Sequence, residues 1–144
     1  MLKLVEKIND SLEHEASLEL PFEDRQRARL KTVLDDGREV GLFLPRGDIL
    51  RGGDLLKSED GIIVRIAAAA ESVSTARCSD QHQLSRACYH LGNRHVALQI
   101  GHDWVRYLED HVLDEMVIGL GLEIIHEQAP FEPESGAYSA HHHH

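Results

Sequence analysis

The 144-residue sequence has only two cysteines, Cys78 and Cys88. That is too few for a disulfide framework, fits a reducing compartment, and excludes a zinc site built from four thiolates of one chain. No apolar run approaches the roughly 18 to 20 residues of a membrane span. The opening Met1-Leu2-Lys3-Leu4-Val5-Glu6 carries charges where a signal peptide needs an apolar stretch, so the expected location is the cytoplasm. Basic residues are few, 15 against 25 acidic ones for a formal net charge of -10, and they form no stripe. The electrostatic attraction that drives nucleic-acid binding is therefore missing. Signatures of catalysis are absent too: there is no G-x-S-x-G elbow, H-E-x-x-H helix, CxxC pair or Gly-rich nucleotide fingerprint. Carboxylates are plentiful, but context singles out no pair of them.

What is present is a 42% hydrophobic content, enough for one ordinary core or two small ones, and an excess of histidine. Eleven histidines occur, four of them consecutive at the end, His141, His142, His143 and His144. From Leu2 to about Ala70 short apolar runs alternate with turn residues, which predicts a small all-β domain over residues 1–70. Arg29–Leu34 and Glu39–Leu44 flank Asp35-Asp36-Gly37, whose glycine supplies the positive φ of a tight hairpin. Pro45-Arg46-Gly47 and Arg51-Gly52-Gly53-Asp54 are backbone-permissive turns, and Ile62–Ile66 closes the sheet.

The pattern changes after the run Ala67–Ala70, beginning with a strand over Ser72–Arg77. Asp80 with Gln83 resembles a capping box, and Leu84, Ala87, Cys88 and Leu91 repeat at helical spacing before Gly92. His95–Ile100 and Trp104–Leu108 read as a second hairpin around Gly101-His102-Asp103. Asp110 caps a helix with apolar residues Leu113, Met116, Val117 and Leu120, and with Asp114 and Glu115 on its polar face near its positive end. Leu122–His126 reads as the last strand. Residues 71–130 thus follow the order β-α-β-β-α-β, the ferredoxin-like arrangement, and residues 131–144 read as a flexible tail ending in histidines. The fold class is α+β.

Imidazole suits nickel, copper and zinc, so the histidines are the candidate ligands. A terminal tract can wrap an ion without fixed geometry, though four terminal histidines are also what a shortened purification tag or a cut native tract leaves. His95 opens a strand after the turn Gly92-Asn93-Arg94, where its side chain can project from the sheet edge. His111 lies in the first turn of the second helix, where a solvated helix start is the ordinary explanation. His14, His82 and His102 have polar surroundings, His90 adjoins Tyr89, and His126 ends a strand. One imidazole holds a metal poorly, but a twofold dimer doubles the ligand set at no cost in sequence. Cys78, just before a helix N-terminus, occupies a position where a thiol pKa can fall, and it ranks behind the histidines because a small buried hydrophobe explains it as well.

Several segments together resemble the urease accessory protein UreE family of nickel metallochaperones over nearly the whole chain. They are Leu44-Pro45-Arg46-Gly47 with Leu50–Asp54, Ala87-Cys88-Tyr89-His90-Leu91-Gly92-Asn93-Arg94-His95 with Leu98-Gln99, Tyr107 through Asp110–Asp114, and Phe131–Glu134 with Gly136-Ala137-Tyr138. The resemblance implies an N-terminal β domain that binds peptide, a ferredoxin-like metal-binding domain, and a homodimer in which His95 of each protomer meets near the twofold axis to hold Ni(II). It also implies that His111 adds ligands and that the tail binds further ions. Nickel is then the cargo, passed to the urease apoprotein with accessory proteins that include a GTPase, and Cu(II) or Zn(II) binds in vitro. In this chain Glu109 stands where some relatives carry a histidine two residues before the position of His111. The expected protein is a carrier, not an enzyme. A general peptide-binding assembly chaperone with incidental metal binding is the competing reading, and a metal-dependent hydrolase using Glu109 or Asp110 is a third that no motif supports.

Overall fold

The computed structural model describes residues 1–47 and 49–136. They form two compact units, Met1–Ala69 joined by Ser135 and Gly136, and Ala70–Glu134. The first holds strands β1 (Leu2–Ile8), β2 (Ala16–Leu20), β3 (Arg29–Val33), β4 (Glu39–Phe43), β5 (Leu55–Ser58) and β6 (Ile63–Ala68), with a one-turn helix α1 (Phe22–Arg25). They make a single sheet in the order β2-β6-β5-β1-β4-β3. The hairpin expected around Asp35-Asp36-Gly37 is β3 and β4, paired from Arg29 opposite Phe43 to Val33 opposite Glu39, and Gly37 takes φ 89° in its turn. The sheet curls so that its edges meet: Asp35 donates its N–H to the Ser17 carbonyl at 2.9 Å, and the Asp35 carboxylate accepts from Ser17 N–H at 3.1 Å. Leu4, Leu18, Leu42, Leu56, Val64 and Ile66 fill the enclosed side with no exposure.

The unit is not purely β as expected, because it contains α1, a single turn too short to show any periodicity in the sequence. Its purpose is visible in Arg25, which is fully buried. The guanidinium donates to the carbonyls of Leu20 and Leu50, both at 3.1 Å, and lies 5.8 Å from the Phe22 ring. A buried cation stays in place only when its donors are satisfied, and here they bind the last carbonyl of β2, which also accepts from Ala69 N–H at 2.9 Å, and the loop carbonyl of Leu50.

The second unit contains β7 (Ala70–Arg77), α2 (Gln81–Gly92), β8 (Gln99–Ile100), β9 (Trp104–Leu108), α3 (His111–Gly119) and β10 (Glu123–Pro130). All neighbours in the sheet order β10-β7-β9-β8 are antiparallel. Asp80 caps α2 by accepting from Gln83 N–H at 2.8 Å. The return half of the capping box reaches one residue further back, since Gln83 Oε1 accepts from Ser79 N–H at 2.7 Å. Asp110 caps α3 through Leu113 N–H at 3.0 Å. Leu84, Ala87, Leu91, Leu113 and Val117 pack from the helices onto Ala76, Val105 and Tyr107 of the sheet. The turn before β9 is tight enough that a Cβ on Gly101 would lie 2.1 Å from the Trp104 indole, so only glycine fits.

Three expectations need correction. The strand expected over His95–Ile100 shrinks to Gln99–Ile100, because His95 sits in a turn and the segment behind it bonds elsewhere: the Leu98 carbonyl accepts from Glu134 N–H at 2.7 Å and the Gln99 side chain from Glu132 N–H at 3.0 Å. The last strand runs to Pro130, four residues beyond the expected end at His126, since β7 offers a partner at every position from Arg77 opposite Glu123 to Ala70 opposite Pro130. The tail expected to be flexible from residue 131 is anchored at its start, where those two backbone bonds hold it and Phe131 is fully buried. His141, His142, His143 and His144 lie outside the described residues.

Candidate metal centre

α2 ends at Gly92, and the chain leaves it through overlapping turns in which Asn93 N–H donates to Tyr89 O, Arg94 N–H to Leu91 O and His95 N–H to Gly92 O. His95 closes this series at φ 56° and is the only non-glycine with positive φ among the described residues. The left-handed region costs an L-residue roughly 1–2 kcal/mol. Histidine is among the residues enriched there, but glycine would be the cheaper choice. His95 is exposed, so the strain is not offset by burial of its ring. Helix exits often pass through a left-handed residue, and this one leaves the His95 ring exposed.

His111 is the first residue of α3, and its Nε2 lies 3.2 Å from Glu115 Oε1, one turn along the helix, with side chains 85% and 68% exposed. This is the solvated helix start that the sequence suggests. The structure therefore gives His111 a carboxylate neighbour, though not the ones nearest to it in sequence.

The residue that sequence reasoning misplaced is Asp114. It is not on the polar face of α3 but buried against the sheet at 8% exposure. Tyr107 O–H donates to its Oδ1 at 2.6 Å, and His126 Nε2 lies 2.7 Å from its Oδ2. Register explains the meeting: Ser74 of β7 is opposite Tyr107 of β9 on one side and His126 of β10 on the other, so the two side chains flank it on the face that α3 covers. Burial alone would raise the Asp114 pKa, but its hydrogen-bond donors, Tyr107 foremost, hold it below the ordinary carboxylate value. Burial and Asp114 together push Tyr107 far up, so its hydroxyl stays a donor. Asp114, and more weakly Glu109, raise His126. Glu109 Oε1 stands 3.6 Å from His126 Nδ1, on the opposite side of the ring from Asp114. The signal that would have found this cluster is the i, i+4 pair Asp110 and Asp114: with Asp110 as the cap, Asp114 adjoins buried Val117 on the helical wheel, at the edge of the apolar face.

Other candidates separate from these. His14, His82 and His102 are exposed, and His90 stacks edge-on to Tyr89 with ring centres 5.2 Å apart. The lowered pKa considered for Cys78 is reversed: burial pushes its thiol up, and that of Cys88 likewise, so neither favours the thiolate that soft metals take. Among the described residues no three or more His, Cys, Asp or Glu side chains converge as a ready metal-binding group.

Comparison with known proteins agrees over both units. The family model of the UreE urease accessory protein N-terminal domain matches residues 2–69, and that of its C-terminal domain matches residues 71–144. A urease accessory protein UreE of Alkalilimnicola ehrlichii is 60% identical over 138 residues, covering 96% of this chain and 85% of the relative. One from Pseudomonas putida strain W619 is 55% identical over 141 residues, covering 97% and 88%, and one from Citrobacter koseri is 53% identical over 148 residues, covering 99% and 97%. With both units matched and relatives 53–60% identical over nearly the whole chain, the chain belongs to the UreE urease accessory protein family.

Proposed function

We propose that this protein carries Ni(II) in the cytoplasm and delivers it to the urease apoprotein during urease maturation, working with further accessory proteins that include a GTPase. The family is one of accessory proteins, and the chain is not an enzyme. In this reading the second unit is a ferredoxin-like domain, supported by its β-α-β-β-α-β order and its sheet order β10-β7-β9-β8. The relatives' shared name supports the link to urease. No helix among the described residues is long and apolar enough to cross a membrane, which is consistent with the cytoplasm.

The observation that carries the reading is His95, an exposed imidazole fixed in a left-handed turn by the backbone of α2's exit. One imidazole binds nickel weakly, whereas two copies of the chain related by a twofold axis present a pair. Such a site is open on its remaining positions, so the ion can leave by ligand exchange, which a carrier needs and a closed thiolate cage prevents. His111 and the terminal histidines supply further, more peripheral ligands, and Cu(II) or Zn(II) occupies the same imidazoles in vitro. The test is nickel calorimetry with parallel mass determination on a chain whose four terminal histidines are changed to alanine. About one nickel per dimer, lost on His95→Asn, is the expected result. Equal binding by the two proteins removes His95 from the site and leaves the peptide-binding chaperone reading in its place.

A further inference from the structure

One face of the first unit carries charge of the sign that the chain as a whole lacks. Register places Lys3 of β1 and Lys31 of β3 on either side of Gly41 of β4, with Arg29 opposite Phe43 and Val33 opposite Glu39 in the rows beside them. These positions alternate with the buried Leu4, Val40 and Leu42, so they form the outer side of the sheet. Lys3, Arg29 and Lys31 share these rows with a single acid, Glu39, on a chain of net charge -10. Among the described residues neither lysine is in an ion pair. Apolar surface lies between the cations: Met1 is 56% exposed, Val33 54% and Phe43 38%. Gly41 makes room for it, since a Cβ there would meet the Phe43 ring at 2.8 Å and the Met1 methyl at 3.1 Å. The ring therefore lies down on bare backbone, and Lys3 and Arg29 each stand 5.7 Å from its centre, within cation–π range.

We infer that the outer face of β1, β4 and β3 docks an acidic segment of a partner protein that also carries an apolar side chain. An exposed aromatic ring beside an arginine is the composition of an interface anchor. A nucleic-acid backbone would meet the cations but leave Met1, Val33 and Phe43 in water, and the acidic remainder of the chain repels it. A protein segment supplies both carboxylates and an apolar group. Strands stand about 4.8 Å apart, so the backbones at Lys3 and Lys31 are separated by roughly 10 Å across β4. In an extended segment, residues i and i+4 lie about 13 Å apart on one side with residue i+2 between them, and flexible lysine stems cover the difference. The fitting sequence thus has acids four residues apart around a central apolar residue. The negative remainder of the surface repels such a segment elsewhere, which orients the encounter. Docking here uses none of the histidines proposed to hold nickel, goes beyond the carrier reading and does not depend on it.

The test titrates the full chain, free of metal, with a fluorescein-labelled peptide that has a glutamate two residues on either side of a central phenylalanine. Anisotropy reports binding, and backbone nitrogen–proton spectra report where it occurs. The expected result is saturable binding that weakens with salt, with shifts concentrated in β1, β3 and β4. Lys3→Glu combined with Lys31→Glu should weaken it at least tenfold, and Phe43→Ser by about tenfold. Lys3→Gln with Lys31→Gln should give a smaller loss and serves if the charge-reversed chain does not fold. His95→Asn should titrate like its parent. The assignment is overturned by no saturable binding up to about 1 mM peptide, by lysine variants that bind like the parent, or by shifts confined to the second unit. Equal binding of the same peptide with glutamines for glutamates, or tighter binding of an oligonucleotide of equal charge, overturns it as well. Because no metal is present, failure here leaves the nickel calorimetry on His95 untouched, and failure of that calorimetry leaves this docking face to stand on its own titration.

Discussion

The bond from Tyr107 to Asp114 is the most consequential side-chain contact in the second unit, and Tyr107→Phe isolates it. The substitution removes one oxygen from a side chain that is 1% exposed and leaves its packing in place. What is lost is a 2.6 Å hydrogen bond to an ionised carboxylate that is itself 8% exposed. Bonds to charged groups contribute about 1.5–3 kcal/mol, and the buried Asp114 oxygen left without its donor puts the cost at the upper half of that range. With a urea dependence of about 1–3 kcal/mol per molar for a small protein, the unfolding midpoint should fall by roughly 1–2 M. The same substitution made in an Asp114→Asn background should cost at least about 1 kcal/mol less, because the charge that strengthened the bond is gone. Urea unfolding of the four proteins, followed by circular dichroism, closes the cycle. A cost for Tyr107→Phe below about 0.5 kcal/mol, or an equal cost in both backgrounds, would refute the claim that this bond holds α3 to the sheet.

The same cluster sets a pH dependence. His126 has its folded pKa raised above the ordinary 6.5, chiefly by Asp114, so its contribution is complete below that value and is lost as pH rises through the folded pKa. Asp114 is lowered, so its contribution is present above the usual carboxylate range and disappears as pH falls through its folded pKa. Urea midpoints measured from pH 6 to 9 should decline for the parent and be flatter for His126→Gln, and identical slopes would contradict the assignment. His95→Gly should relieve the left-handed strain and raise stability by about 0.5–1 kcal/mol while abolishing the His95 nickel site, a trade that thermal unfolding and calorimetry report side by side. Arg25→Met should cost about 2–4 kcal/mol, since it removes two buried bonds from a charged donor, to the Leu20 and Leu50 carbonyls, and an unchanged melting temperature would show that those bonds are not needed. Asp80→Ala should cost about 1 kcal/mol through loss of the α2 cap, measurable by the same unfolding curves.

Much of this molecule is written locally. The β3–β4 hairpin follows from a glycine that can take positive φ between two alternating runs, and both long helices start where an aspartate can accept from the third residue onward. Such signals involve neighbours in the chain, so they need no knowledge of the fold. The helix stop at Gly92 was readable for the same reason, but the turn that follows runs on through His95, where a strand was expected to open. The inward side of Asp114, the length of β10 and the anchoring of Phe131 were not readable. Each depends on a partner at least seven positions away: Asp114 on Tyr107 and His126, β10 on all eight residues of β7, and the segment after Pro130 on Leu98 and Gln99. A carboxylate on a helix looks solvated until the tertiary structure supplies a buried hydroxyl and an imidazole to receive it, since only paired polar groups can be taken out of water. The sequence alone therefore determined the order of the main strands and the two long helices, while α1, the turn at His95 and the full length of β10 were decided by tertiary partners. Strand register across the second sheet decided which side chains share a site, bringing Glu109 to His126 over 17 positions of chain that carry no local trace of the pairing.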